Sequence, residues 1–196
     1  MTYATLWNWR QQVAVLYAQA RAMPPEAGWH HWRTGRDALF ATHPQSPLDI
    51  SGPDLPFFPY DPAMRFVVPL LPANGAPTPF DAGADGTIMM QPFATVTLGT
   101  LGSLTLFWIL GYGGGVFLPF RDGTSGRETY GAGRYALDTI KGADLGHVGD
   151  DAVIDLNYAY NPSCAYSPRF TCPLAPPQNR LTAAVYAGEK TPPTAS

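Results

Sequence analysis

The sequence predicts an α+β fold: a mostly antiparallel β body, barrel or sandwich, with two N-terminal amphipathic helices packed on it. Three observations carry that expectation. Apolar residues recur at helical spacing over the first forty or so positions, and after Pro44 the pattern changes to period two. Short alternating segments then follow one another with turn signals between them. Glycine (20) and proline (21) make up about a fifth of the 196 residues, yet 13% are aromatic, so the excess reads as turns between packed short elements and not as disorder.

The first helix is expected over residues 4–22, where Leu6, Trp9, Val13, Leu16, Tyr17 and Ala20 form one apolar face. Met23-Pro24-Pro25 ends it, because proline removes a donor and clashes with the preceding turn. A second helix spans 26–42. Pro25 and Glu26 suit its first turn, Trp29, Trp32, Leu39 and Phe40 form its apolar face, and His43-Pro44 stops it. Residues 46–62 hold five prolines and read as an ordered extended loop. Strands are expected at 64–71, 87–98, 104–110, 116–120, 128–137, 153–160 and 181–187. Pro92 makes the second of these an edge or bulged strand. The third is apolar on both faces, as a central strand under helices would be. Asn74-Gly75 and Asp85-Gly86 mark turns. The expected organisation is a helical pair (1–44) on a β-rich body (45–189), with a frayed polar tail (190–196).

Only 14% of residues are charged, against about 25% in an average soluble protein. The net charge is −3, with ten Arg and two Lys scattered along the chain. There is no basic stripe for nucleic acid and no polybasic cluster for an anionic membrane. The longest apolar stretch falls far short of the ~20 residues of a membrane span. Arg10 and two Gln occupy the place of a signal peptide's apolar region, so the expected location is cytoplasmic. Nothing in the pattern calls for a cofactor.

The scarce charges gather in one segment. Residues 119–135 hold Arg121, Asp122, Arg127, Glu128 and Arg134. If 128–134 is a strand, then Glu128, Tyr130 and Arg134 share a face. A carboxylate, a phenol and a guanidinium on one wall suit a polar ligand, with Arg134 gripping a carboxylate or phosphate. The equally weighted alternative is an internal Arg–carboxylate network that fixes the turn. Gly131-Ala132-Gly133 lacks the strand–glycine–helix context of a phosphate loop. Gly123-Thr124-Ser125-Gly126 lacks the spacing of a nucleophile elbow, which leaves Ser125 a minor candidate nucleophile.

A second polar segment spans 155–174. On a strand, Asp155, Asn157 and Asn161 would share a face and, in a barrel, would meet the Arg134 wall across one cavity. Cys164 and Cys172 are the only cysteines. Their ranked readings are reduced thiols, then a disulfide, then half of a metal site. His30 and His31 point about 100° apart and do not share a metal. His43 reads as a helix C-cap. It becomes the best general acid/base in the chain if it meets Asp61 or the Arg134 segment.

Several strings carry a family resemblance. They are Trp32-Arg33-x-x-Arg36-Asp37-x-Leu39-Phe40-x-x-His43-Pro44-x-Ser46-Pro47-Leu48 and Phe57-Phe58-Pro59-Tyr60-Asp61-Pro62-x-x-Arg65. Then come Pro119-Phe120-x-Asp122-x-Thr124-Ser125-Gly126-x-Glu128-Thr129-Tyr130-Gly131-x-Gly133-Arg134-Tyr135 and Asn157-x-Ala159-Tyr160-Asn161-Pro162-x-Cys164-Ala165-Tyr166. The last is Cys172-Pro173-Leu174-x-x-Pro177-x-Asn179. Together, from about Arg33 to Glu189, they resemble the uncharacterised bacterial and archaeal family called domain of unknown function 1684. The resemblance implies no activity. It implies that His43, Ser46, Asp61, Arg65, Asp122, Thr124, Ser125, Glu128, Tyr130, Arg134, Asn157, Asn161, Cys164 and Cys172 belong to its motifs.

Three functional readings follow. The leading one is a partly polar cavity that binds a small ligand, anionic or neutral, through Arg65, Asp122, Tyr130, Arg134, Asn157 and Asn161. A hydrolase or isomerase would instead use His43, Glu128 and Ser125, with a proton shuttle within about 3 Å of its substrate. A structural or interaction domain would have no pocket above about 300 Å³.

Overall fold

The structure, a computed structural model, describes residues 2–48, 55–82 and 86–192. Two helices open the chain, α1 (Tyr3–Arg21) and α2 (Pro25–Thr42). Thr2 caps α1 by accepting the Thr5 amide at 3.2 Å, and Pro25 begins α2 where its missing N–H costs nothing. The helices approach closely because two positions on α2 lack side chains. A Cβ on Gly28 would lie 2.5 Å from the Ala20 carbonyl oxygen, and one on Gly35 would lie 2.3 Å from a Leu16 methyl.

Nine strands follow among the described residues: β1 (Arg65–Val68), β2 (Leu71–Pro72), β3 (Thr78–Asp81), β4 (Thr87–Thr97), β5 (Ser103–Ile109), β6 (Gly115–Phe120), β7 (Arg134–Asp138), β8 (His147–Val148) and β9 (Asp151–Asp155). All pairings are antiparallel. One sheet has the order β1-β9-β8; the other runs β2-β4-β5-β6-β7, with β3 also pairing β4. The sheets do not close into a barrel; the arrangement is sandwich-like. Val96, Leu104, Leu106, Leu118 and Phe120 of the larger sheet, with Leu98 just past β4, pack with Ala152 and Ile154 of the smaller in one apolar core.

The helices sit to one side. Tyr17, Ala20, Trp29 and Trp32 pack with Ala143 and Tyr158. The Trp29 indole donates to the Asn157 carbonyl at 2.8 Å, which anchors α2 at the end of the smaller sheet. The helices therefore do not roof β5, which is central in its sheet but leaves Trp108 41% exposed.

Pro92 sits in a bulge of β4, where the register with β5 shifts between Pro92 and Ala94. Two expected strands are replaced. Of 128–137, only β7 is extended; the residues before it are turns. Residues 181–187 form no strand, because their carbonyls are claimed by a side chain described below. The strand expected to reach residue 160 stops at Asp155, whose carboxylate accepts the Asn157 amide and turns the chain into a 3₁₀ turn, Leu156–Tyr158. Within the expected tail, Lys190 and Thr191 donate backbone bonds to Pro56 and Glu128. Residues 193–196, part of the 46–62 loop (49–54) and part of the Asp85-Gly86 turn (83–85) lie outside the described residues. No helix among the described residues is long and apolar enough to cross a membrane.

Candidate functional site

A cavity of about 340 Å³ lies between the helices, β7 and the 160–172 loop. Leu6, Trp9, Val13 and Leu16 of α1 and Leu39 and Phe40 of α2 supply its apolar walls. Its polar end is built around Arg36. The Arg36 guanidinium stacks over Phe40 at 4.2 Å, and its Nη2 donates to Glu189 Oε2 at 2.9 Å and to the Tyr166 hydroxyl at 3.0 Å. Tyr166 in turn donates to the other Glu189 oxygen, and the Asn161 amide donates to Oε2 at 3.0 Å. Burial works against the Arg36 charge, but Glu189 more than offsets it and holds the guanidinium above its ordinary range.

Three buried polar atoms at this end have no hydrogen-bond partner among the described residues: Arg36 Nε, Tyr160 Oη and Asn161 Oδ1. Arg36 Nε is a donor, Asn161 Oδ1 an acceptor, and the phenol either. All three residues line the cavity. So do Arg10 and Lys141, and no Asp or Glu among the described residues does. Burial raises Tyr160 and Tyr166 well above ordinary phenols, which keeps both protonated.

Arg134 lies elsewhere. It is 1% exposed, and its Nη2 donates to Asp122 Oδ2 at 2.9 Å and to the Val185 carbonyl at 3.1 Å. Its Nη1 donates to the Ala187 and Glu189 carbonyls. Burial lowers its proton affinity and Asp122 works in the opposite direction. Asp122 Oδ1 accepts Thr124 Oγ1 at 2.6 Å, the Thr124 amide at 2.8 Å and the Val185 amide at 3.2 Å. Ser125 Oγ accepts the Asp122 amide at 3.1 Å. This is the internal Arg–carboxylate network weighed as the alternative. The shared face of Glu128, Tyr130 and Arg134 does not form, because residues 128–133 are not a strand. Glu128 is exposed, and Tyr130 reaches Cys164 Sγ at 3.9 Å.

His43 is the C-cap of α2. The Gln45 amide donates to its Nδ1 at 3.1 Å, so Nε2 carries the ring hydrogen and donates to Asn8 Oδ1, also at 3.1 Å. It makes no contact with Asp61, Glu128 or the Arg134 network. Asp61 caps a 3₁₀ turn through the Ala63 amide at 2.9 Å, and its backbone exchanges two bonds with the Asn157 side chain. Asp155, Asn157 and Asn161 share no face; only Asn161 reaches the cavity. Arg65 stands 3.9 Å from Asp155 in a separate hollow of about 160 Å³ that also holds His147 and Tyr158. Burial pushes Asp155 up to about 6 against its bonds from Asn157 and the pull of Arg65. Cys164 and Cys172 are unbridged and adjacent, and Cys172 lines the main cavity. Among the described residues, no three His, Cys, Asp or Glu side chains cluster as metal ligands.

Sequence reasoning missed Arg36, Tyr160, Tyr166, Glu189 and Lys141. For Arg36 a signal existed: it lies four residues from both Trp32 and Phe40, so it falls on the apolar face of α2. A charge in that position is either paired or functional. Glu189 carries no such mark, because it belongs to no periodic element.

The model of the family described as protein of unknown function (DUF1684) matches residues 53–190. The solution NMR structure of an uncharacterized protein of Haloarcula marismortui is similar, with 32% sequence identity, a TM-score of 0.59, and coverage of 85% of this chain and 94% of that one. The comparison with curated proteins found no match. The order of motifs, the matched span and the shared fold agree, and the chain belongs to the DUF1684 family.

Proposed function

We propose that the chain binds a small amphipathic anion in the cavity beneath its helices. The observation that carries this reading is the composition of the lining: aromatic and aliphatic walls, three basic side chains, and no carboxylate among the described residues. Two of these cations already meet a carboxylate outside the lining, Arg36 at Glu189 (2.9 Å) and Lys141 at Asp138 (3.4 Å), so the cavity surface itself presents only cationic and neutral groups among the described residues. The volume is at the lower end of small-molecule sites, roughly 300–1,000 Å³. The unpaired Arg36 Nε–H and Tyr160 hydroxyl supply donors for an oxyanion, and Asn161 Oδ1 suits a hydroxyl or amide on the same head group. Arg134, Asp122, Tyr130, Asn157 and Arg65 take no part in this version of the site. Cytoplasmic residence fits it, since two unbridged neighbouring thiols, one of them in the wall, stay reduced only in a reducing compartment.

Calorimetric titration with decanoate and with decanol tests the proposal. Decanoate binds at least about tenfold more tightly than decanol, and Arg36→Met removes that preference, as loss of one charge-assisted hydrogen bond requires. Equal affinity for acid and alcohol, or no binding of either, overturns it.

A further inference from the structure

Cys164 and Cys172 are brought together by the doubling back of the 160–172 loop. The Cys164 amide donates to Cys172 Sγ at 3.3 Å, which sets the two cysteines side by side. The Tyr130 hydroxyl lies 3.9 Å from Cys164 Sγ. Cys172 faces the cavity, whereas Cys164 sits on the partly exposed side of the loop. The two sulfurs are thus inequivalent: Cys172 Sγ accepts the Cys164 amide at the cavity, and Cys164 Sγ meets the Tyr130 hydroxyl on the partly exposed side of the loop.

We propose that this pair is a peroxide-oxidisable dithiol, with Cys172 as the attacking sulfur and Cys164 as the resolving one. The Cys172 thiolate attacks one oxygen of hydrogen peroxide. An S–O bond forms, the O–O bond breaks, and the leaving hydroxide takes the Cys164 proton as water. The Cys164 thiolate then attacks Cys172; the S–S bond forms, the S–O bond breaks, and hydroxide departs. The two sulfurs give up two electrons and the peroxide accepts them.

The surroundings support this order. The bond from Cys164 and the backbone amides favour the thiolate of Cys172 and outweigh its burial, so its proton affinity falls below that of an ordinary thiol. Donation to Cys172 and burial raise Cys164. The other ionisable groups facing Cys172 are Lys141, which favours the thiolate, and the phenols Tyr130 and Tyr135. The inference does not depend on which ligand the cavity takes.

The test uses the reduced full chain with hydrogen peroxide and mass spectrometry. Stoichiometric peroxide makes both thiols unreactive to N-ethylmaleimide together, and a thiol reductant restores both. In C164S, dimedone captures a sulfenic acid at Cys172; in C172S, Cys164 takes none at the same exposure. Peptide mapping of the unmutated chain gives Cys172 alkylation about tenfold faster than Cys164 at pH 7. Its midpoint lies below the ~8.5 of a free thiol. Two thiols that stay alkylatable after peroxide, dimedone capture at Cys164 instead, or alkylation of both at the free-thiol midpoint would each overturn the proposal.

Discussion

Two arginines, Arg134 fully buried and Arg36 largely so, hold the same C-terminal segment, and they do it in opposite ways. Arg134 makes four bonds, three of them to the backbone carbonyls of Val185, Ala187 and Glu189, with Asp122 as counter-ion. It has become part of the backbone's hydrogen bonding: it replaces the ladder that residues 181–187 would need as a strand. Arg36 makes two bonds, both from one nitrogen, to the side chains of Glu189 and Tyr166. Its Nε faces a cavity with two further unpaired polar atoms beside it. Arg134 also leaves its Nε unpaired, but not in a cavity wall. Charge density alone therefore does not locate a site. The charge-rich segment is the structural one, and the isolated arginine on an apolar helix face is the one with room in front of it.

Replacing each arginine by methionine separates the two roles. Arg134→Met leaves the Asp122 carboxylate buried without its cation and three carbonyls without their donor. The expected loss is about 4 kcal/mol of unfolding free energy, in the range for breaking a buried ion pair from one side. That is a large part of the total of roughly 5–15 kcal/mol for a native domain. Arg36→Met leaves Glu189 with the Asn161 amide and the Tyr166 hydroxyl, so about 2–3 kcal/mol is expected. Urea unfolding followed by tryptophan fluorescence measures both. A larger loss at Arg36 than at Arg134 would reverse the assignment of roles.

The fold was legible where periodicity governs. Both helices, the β4 bulge at Pro92, and β5 and β6 follow from apolar spacing and from what proline forbids. It was illegible where side chains substitute for backbone partners. Arg134 carries the 181–187 segment, and Asp155 and Asn157 end β9 and pin residue 61. Such pairs are separated by dozens of residues, and no local pattern announces them. The site has the same character. Arg36 is marked by its place on a helix face, but Glu189 and Asn161 meet it only through the tertiary fold.

A third buried carboxylate extends the comparison, because Asp155 has a cation only at 3.9 Å. Its folded-state value is raised to about 6 from an ordinary 3.8, chiefly by burial. The folded protein therefore holds this proton more tightly than the unfolded chain does. The associated stability is complete below about pH 4 and is lost as the pH rises through about 6. Asp155→Asn keeps an acceptor for the Asn157 amide and removes the titration. The variant should match the parent near pH 4 and exceed it by about 2–3 kcal/mol at pH 7. Denaturant titrations at half-unit pH steps measure the difference; a gap that does not change with pH removes Asp155 as its source.

The smallest expected effect is the most discriminating. Tyr135 and Tyr160 are bridged backbone neighbours whose rings meet edge-on at 5.8 Å. The Tyr135 hydroxyl donates to the Pro173 carbonyl at 2.6 Å, whereas the Tyr160 hydroxyl is buried and unpaired. Tyr135→Phe orphans a carbonyl and should cost about 1 kcal/mol. Tyr160→Phe removes an unsatisfied group and should leave stability unchanged, or raise it by a few tenths of a kcal/mol, because no internal bond is lost. A hydroxyl kept in an apolar wall without an internal partner has a use only when something enters the cavity. Decanoate affinity should therefore fall in Tyr160→Phe and hold in Tyr135→Phe, the reverse of the stability order. If both variants lose stability equally and neither changes decanoate binding, the cavity end around Arg36 is packing and the two arginines do not differ in kind.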